Sequence, residues 1–217
     1  MGLTAESVKQ AQDGADPWRV GNQVLYDLCQ RCPDHDDDAK IIAKVWLIGR
    51  AYSASIERGK GDAVGADVPN DVFYIKHVAP ALRASALDRK VAALKQFKVL
   101  DRSSVTQVLD THGYLVTLFE TLTHKSKRSL ASKYLHFHCP DLFFIYDSRA
   151  ALSIRRLAVA PLNVDAPNAD EQYAKFFGAA LGLTRHVSKK FKTRLTPRQL
   201  DRLLLATFAD PSQMTIG

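Results

Sequence analysis

The amino-acid sequence predicts an all-α protein, and three observations lead to this fold class. Apolar residues recur at intervals of three and four along most of the 217-residue chain. Helix start signals precede several of these apolar stripes. Only Val72 to Ile75 has the residue types of a strand, and this segment is too short to define a sheet. We therefore expect one substantial helical core, or two small helical lobes that share a cleft.

The first predicted helices lie in the amino-terminal quarter of the chain. Residues 16–17, Asp-Pro, have the form of an N-cap and first turn for a helix with apolar positions in 24–28. A second helix is expected after the acidic run 36–38. Its apolar residues within 41–48 cover nearly every side, which predicts a central, buried helix that ends in 50–58.

The remaining segments continue the helical pattern. Residues 59–69 are rich in Gly, Asp and Ala and predict a loop. Helical stripes follow in 87–94, 105–119 and 173–180, with Gly113 as a weak point within the second of them. Residues 196–199, Thr-Pro-Arg-Gln, match a capping box with proline in the first turn, ahead of a last apolar helix.

The charge of the chain favours a polyanionic partner without identifying one. Its formal net charge is +7, and the charges are unevenly distributed. The run 34–38 is acidic, whereas 125–133 and 185–202 are basic. A surface that binds nucleic acid requires positive charge concentrated in this way.

Three cysteines, Cys29, Cys32 and Cys139, are too few and odd in number for a disulfide framework. They indicate a reducing compartment. The first residues lack the basic start and apolar run of a signal peptide, and no stretch approaches the roughly 20 apolar residues of a membrane span. We expect a cytoplasmic protein with no membrane partner.

A zinc site is the alternative interpretation of the segment Cys29 to His35, with further ligands from His136 to Cys139. This alternative rests on a single CxxC pair whose other ligands lie far along the chain. No cysteine follows Cys139, so the sequence also excludes an iron–sulfur cluster held by four cysteines near the carboxyl terminus. We therefore predict no metal and no cofactor.

The segment from Lys125 to Asp147 reads KSKRSLASKYLHFHCPDLFFIYD. It resembles the helix-hairpin-helix region of the endonuclease III and 8-oxoguanine group of DNA glycosylases, which runs roughly GVGxKTAxxxL, a loop with proline, an apolar residue and the catalytic aspartate. Without gaps, Ala131 takes the small-residue position, Leu135 the apolar one and Asp147 that of the aspartate. The resemblance implies two helical lobes, roughly 37–125 and 1–36 with 126–217, separated by a cleft.

The segment departs from the family pattern in two ways. Lys125, Ser126 and Lys127 replace the hairpin glycines, so any grip on phosphate must come from side chains. Ser129 stands where bifunctional relatives carry a lysine that attacks the sugar, so the resemblance implies a monofunctional enzyme. The expected nucleic-acid contacts in this segment are Lys125, Ser126, Lys127, Arg128, Ser129 and Lys133.

Asp147 is the candidate catalytic residue, because a carboxylate near the sugar can stabilise positive charge in the transition state. A helix N-cap is the alternative role for Asp147, and the two roles are compatible. Upstream, the resemblance places a DNA-contacting wedge or pocket wall at the end of the second helix, with Arg50, Tyr52, Ser53 and Arg58. Tyr146 and His136 are candidates for the base pocket, although core packing is the alternative for Tyr146.

These observations lead to one preferred function and two rivals. The preferred hypothesis is a monomeric, monofunctional DNA glycosylase-like enzyme that releases a damaged or modified base flipped out of duplex DNA. The first rival is a non-catalytic nucleic-acid-binding module with the same fold. The second is a helical scaffold whose basic face meets an acidic protein.

Overall fold

The structure, a computed structural model, describes residues 3–97, 99–164 and 166–209, and every regular element in these ranges is helical. The all-α prediction is therefore confirmed. The helices of the first half are α1 (Ala5–Asp13), α2 (Arg19–Arg31), α3 (Asp38–Ala51), α4 (Lys60–Val64), α5 (Asn70–Phe73), α6 (Ala79–Arg83) and α7 (Leu87–Leu94). Those of the second half are α8 (Arg102–Thr123), α9 (Arg128–His138), α10 (Ser148–Arg156), α11 (Glu171–Phe191) and α12 (Pro197–Ala209). None of the described helices is long and apolar enough to cross a bilayer.

The predicted strand Val72 to Ile75 is wrong, because these residues lie in a continuous helical segment. They span the end of α5 and the start of a π-helical turn, Tyr74–Val78, that leads into α6. Phe73, Val78 and Leu82 are buried along one side of this segment. Burial of a helical stripe outweighs the strand propensity of four residues. The predicted loop 59–69 is also partly wrong, since α4 follows a 3-10 turn at Ile56–Gly59.

Helix α3 is buried on one side rather than all round. Asp37 caps it by accepting a hydrogen bond from the Lys40 amide at 2.9 Å. Ile41 and Ile48 are fully buried, but the Trp46 side chain is 47% exposed. The expectation of a helix buried on nearly every side therefore holds for one face only.

Helix starts elsewhere agree with the sequence to different degrees. Thr196 and Gln199 form the predicted capping box, with the Gln199 amide donating to Thr196 Oγ1 at 3.2 Å and the Thr196 amide donating to Gln199 Oε1 at 2.9 Å. The start of α2 lies later than predicted, because the Asp16 carboxylate accepts from the Trp18 amide at 3.0 Å in a turn before the helix.

Helix α9 runs through the centre of the molecule. Its residues 130–137 are all buried, and it contacts α2, α3 and α8. Helix α10 packs against α11 and α12, and α12 packs against α1. The buried apolar residues form one cluster that includes residues from both predicted lobes. The division into two lobes and a cleft stays a prediction.

Two helical glycines let the segment before α11 lie directly on helix backbones. A Cβ on Gly113 of α8 would stand 2.1 Å from the carbonyl oxygen of Asn168, and one on Gly178 of α11 would stand 2.4 Å from that of Leu162. The Leu162 amide also donates to the Gly178 carbonyl at 2.9 Å. Gly113, expected to be a weak point, is therefore a packing requirement.

Candidate active site

Helices α8 and α9 form a helical hairpin with a four-residue turn between them. His124 ends α8 in the left-handed region, with φ 51°. The Thr123 hydroxyl donates to the Phe119 carbonyl at 2.8 Å and accepts from the Lys125 amide at 3.3 Å. The chain thus reverses here without the glycines of the family pattern, because His124 adopts the left-handed conformation and Thr123 bonds the turn.

The hairpin lies beside the segment that follows α3. Lys127 precedes α9 and donates from Nζ to the Ser55 carbonyl oxygen at 3.2 Å. Burial lowers the pKa of Lys127, and the neighbouring Lys125 lowers it further. Two segments that the sequence assigned to DNA contact are therefore adjacent in the structure.

Most of the basic side chains predicted to contact DNA have intramolecular partners. Lys125 Nζ lies 2.7 Å from Asp62 Oδ2, with both side chains about half exposed. Arg50 Nη2 pairs with Glu57 Oε1 at 2.6 Å, and Arg58 Nη1 donates to the Ser53 carbonyl at 3.1 Å. The two serines predicted to contact DNA, Ser126 and Ser53, are exposed, and Ser53 has a left-handed φ of 52°.

Arg128 is tied to Asp170, the N-cap of α11, by two hydrogen bonds, with Nη2 to Oδ2 at 2.7 Å. The two side chains are only 18% and 11% exposed. Hydrogen bonding to Asp170 raises the pKa of Arg128. This ion pair joins the hairpin to α11, so Arg128 has a structural role in the free protein.

Replacing Arg128 with alanine is expected to lower the free energy of unfolding by about 2–4 kcal/mol, because Asp170 is left partly buried without its cation. The matched control is Lys125→Ala, which breaks an exposed pair and should cost under about 1 kcal/mol. Urea denaturation of both variants measures the difference. Equal losses would contradict the structural role of Arg128.

Asp147 is the N-cap of α10, as one of the two sequence interpretations predicted. Its Oδ1 atom accepts a hydrogen bond from the Ala150 amide at 2.8 Å. Its Oδ2 atom lies 3.8 Å from Lys133 Nζ and 3.7 Å from Arg149 Nη2. The Asp147 side chain is 17% exposed. The carboxylate is therefore held in place by one oxygen, while the other lies near one buried cation, Lys133, and one exposed cation, Arg149.

Lys133 points inward, although the sequence placed it among the DNA-contacting residues. It is 2% exposed, and its Nζ donates to Ser129 Oγ at 2.8 Å. The amine also lies 5.7 Å from the centre of the Tyr52 ring. Burial lowers the pKa of Lys133, whereas the charge of Asp147 raises it. The structure therefore brings Ser129, Lys133, Asp147 and Tyr52 together.

Two residues of α12 that the sequence did not indicate complete this group. Arg198 and Asp201 lie one turn apart, with Nη1 of the arginine 3.5 Å from Oδ2 of the aspartate. We call Ser129, Lys133, Asp147, Arg198 and Asp201 the charged cluster. Asp201 occupies a buried position on the largely apolar stripe of α12, and a carboxylate in such a stripe is the sequence signal that points to it.

Arg198 packs against aromatic side chains of α2, of α9 and of the residue that follows α3. Its guanidinium carbon is 5.5–5.8 Å from the ring centres of Tyr26, Tyr52 and Phe137. Its Nε atom donates to the Tyr26 hydroxyl at 3.1 Å. Tyr52 in turn donates to Asn22 Oδ1 at 2.5 Å. These contacts fix the charged cluster against α2 and α3.

The two predicted base-pocket residues, His136 and Tyr146, have different surroundings. His136 is fully buried, with Nδ1 2.8 Å from the Phe143 carbonyl and Nε2 2.6 Å from the Tyr26 hydroxyl. Since a carbonyl only accepts, Nδ1 carries the proton and Tyr26 donates to Nε2. Tyr146 is half-buried and packs edge-on against Phe176, with ring centres 5.2 Å apart. A base would reach His136 only after local rearrangement.

The segment proposed for an alternative zinc site is held by other contacts. His35 hydrogen-bonds to Asp88 and, through Nε2, to the Tyr134 hydroxyl at 2.6 Å. Lys44, which is fully buried, donates from Nζ to the Cys32 carbonyl at 2.8 Å. Within the described ranges, no three His, Cys, Asp or Glu side chains lie close enough together to hold one metal ion.

Comparisons of the chain with protein-family models, curated proteins and solved structures give no match. The function must therefore be inferred from the site itself.

Proposed function

We propose that this chain is a monofunctional DNA glycosylase-like enzyme that hydrolyses the N-glycosidic bond of a damaged or modified base in duplex DNA. The observation that carries the proposal is the placement of Asp147. Its carboxylate is fixed at the start of α10, is partly exposed, and follows the helical hairpin of α8 and α9. No metal or cofactor is invoked.

The chemistry requires stabilisation of positive charge on the sugar. As the bond to the base breaks, the sugar becomes oxocarbenium-like, and a preorganised carboxylate stabilises that charge without reorganisation. Asp147 is preorganised because the Ala150 amide holds one oxygen. The other oxygen forms long ion pairs with Lys133 at 3.8 Å and Arg149 at 3.7 Å, and both distances are too long for a hydrogen bond. This oxygen can therefore still accept a hydrogen bond from an attacking water and face the sugar.

The surroundings of Asp147 suit a polyanion. Arg149 is 57% exposed next to the carboxylate and can meet a phosphate. The amino end of α9 begins at Lys127, whose side chain makes no capping bond, and the partial positive charge of a helix amino end favours a phosphate. The net charge of +7 adds a general attraction for DNA.

The test is base release from duplexes that each carry one of a panel of damaged or modified bases. Asp147→Asn should lower the rate about 100-fold or more, the range found when a preorganised electrostatic group is removed. Asp141→Asn removes an exposed carboxylate elsewhere and should keep the rate. If no base in the panel is released, or if Asp147→Asn is as active as wild type, the proposal fails. Salt-sensitive duplex binding without release would instead favour the non-catalytic module.

The monofunctional part of the proposal has a separate test, because the Lys133 amine lies beside Ser129 and Asp147. At 2% exposure this amine is not placed to reach a sugar. We therefore expect no covalent adduct when the protein and abasic DNA are treated with borohydride. A trapped adduct that maps to Lys133 and disappears in Lys133→Met would overturn the monofunctional assignment.

A further inference from the structure

Asp201 is a buried carboxylate that the chemistry proposed for Asp147 does not use. It is 4% exposed, and its Oδ1 atom has no hydrogen-bond partner among the described residues. Four helices and the residue that follows α3 bring titratable or charged groups to it. They are Tyr26 of α2, Tyr52 after α3, Lys133 of α9, Asp147 and Arg149 at α10, and Arg198 of α12.

The position of Lys133 is the second observation. Its Nζ stays 3.8 Å from Asp147 Oδ2 and donates to Ser129 Oγ instead. A buried ammonium beside one carboxylate is attracted strongly at low dielectric, and contact at about 2.8 Å would be favoured. The charges of Asp147 and Asp201 both act on Lys133. The buried Asp201 carboxylate therefore offsets the attraction that the Asp147 carboxylate exerts on Lys133.

We propose that Asp201 is a positioning residue for Asp147: its charge holds the Lys133 ammonium back, so that Lys133 forms only a long ion pair with the Asp147 carboxylate and no hydrogen bond to it. This inference rests on the proposed function only for its effect on rate. The arrangement of charges belongs to the free protein.

The proposal predicts a pH dependence. Burial raises the pKa of Asp201 to about 6; Arg198 lowers it and Asp147 raises it. Below about pH 6 Asp201 takes up a proton, and Asp147 is then the one carboxylate of the charged cluster that attracts Lys133. Lys133 closes onto Asp147, and base release slows. The acid limb of the rate profile is thus set by a residue that does not touch the substrate.

The kinetic experiment compares wild type, Asp201→Asn, Lys133→Met and the double variant between pH 5 and pH 8, with Asp141→Asn as the control for loss of one carboxylate. In Asp201→Asn we expect kcat about tenfold lower at pH 8, an unchanged KM and no acid limb near pH 6. In the Lys133→Met background, Asp201→Asn should have no further effect on the rate, because Lys133 transmits the effect of Asp201. A full additional tenfold loss there would overturn the proposal.

Nuclear magnetic resonance of the free protein separates this inference from the proposed function. With ¹⁵N-labelled lysine, the Nζ signal of Lys133 should shift with a midpoint near pH 6 in wild type, and Asp141→Asn should leave that shift in place. The same signal should be flat over this range in Asp201→Asn. If Lys133 does not respond in wild type, the positioning role is wrong, whatever the enzyme activity. If Lys133 responds but no base is released, the proposed function fails and the positioning role stands.

Discussion

Gly113→Ala is expected to lower the free energy of unfolding by about 3 kcal/mol or more, enough to unfold a marginal protein. The added methyl group would stand 2.1 Å from the Asn168 carbonyl oxygen and 3.2 Å from the Ala169 Cα. Both obstacles are backbone, so no side-chain rotation relieves the clash. The segment before α11 must move away from α8, and the contacts that order it are lost. Urea or thermal denaturation measures the effect.

Gly21→Ala provides the matched control. Gly21 also lies inside a helix, but a Cβ there would have no atom within 4 Å. Helix propensity alone then decides, and alanine should stabilise the protein by up to about 1 kcal/mol. If the two variants have the same stability, Gly113 does not act through close backbone contact.

Stability is expected to fall steeply as the pH is lowered from about 6.5 toward 3. His112 and His136 are fully buried, and burial lowers the pKa of each to about 3. In the unfolded chain both titrate near the ordinary pKa of about 6.5. Their neutral forms therefore favour the folded state above this value. On acidification the unfolded chain takes up protons that the folded protein excludes. Each histidine thereby lowers the free energy of unfolding by about 5 kcal/mol at pH 3.

Asp201 acts in the opposite direction. Its pKa is raised to about 6, so the folded protein binds this proton more tightly than the unfolded chain does. It therefore favours folding as the pH falls from about 6 to 4. Two histidines outweigh one carboxylate, and the net trend remains destabilisation in acid.

Equilibrium unfolding of wild type at several pH values measures the trend, and His112→Gln should reduce its slope by about one proton. His186→Gln is the control, because His186 is exposed on α11. A slope that stays unchanged in His112→Gln would mean that this histidine does not stay neutral in the fold.

The sequence predicts the helices well where the signal is local. Periodicity and end signals are sufficient for most helices, and they also place Asp147 at the start of α10 and the capping box at Thr196. They fail at Val72 to Ile75, where a strand-like run is one turn of a longer buried stripe. They fail again at Trp46, because periodicity cannot show which apolar face meets a neighbour.

The site was only partly predictable, because its contacts join distant parts of the chain. Tyr26 and Arg198 are 172 residues apart in sequence, and their hydrogen bond follows from the docking of α12. The inward direction of Lys133 depends on the central location of α9, which local patterns do not reveal. Asp147 was indicated by the family resemblance, and its N-cap role by the short signature of a helix start.

The docking of α12 also fixes when the site can form. A nascent chain that has produced α9 and α10 already contains Lys133 and Asp147, but not the Arg198 and Asp201 that complete the charged cluster. Contacts across such sequence separations form late, after the entropy of a long loop has been lost. The balance of charges around Asp147 is thus a property of the finished fold. Partly synthesised or partly unfolded molecules would contain Asp147, but not the arrangement of charges that Arg198 and Asp201 complete around it.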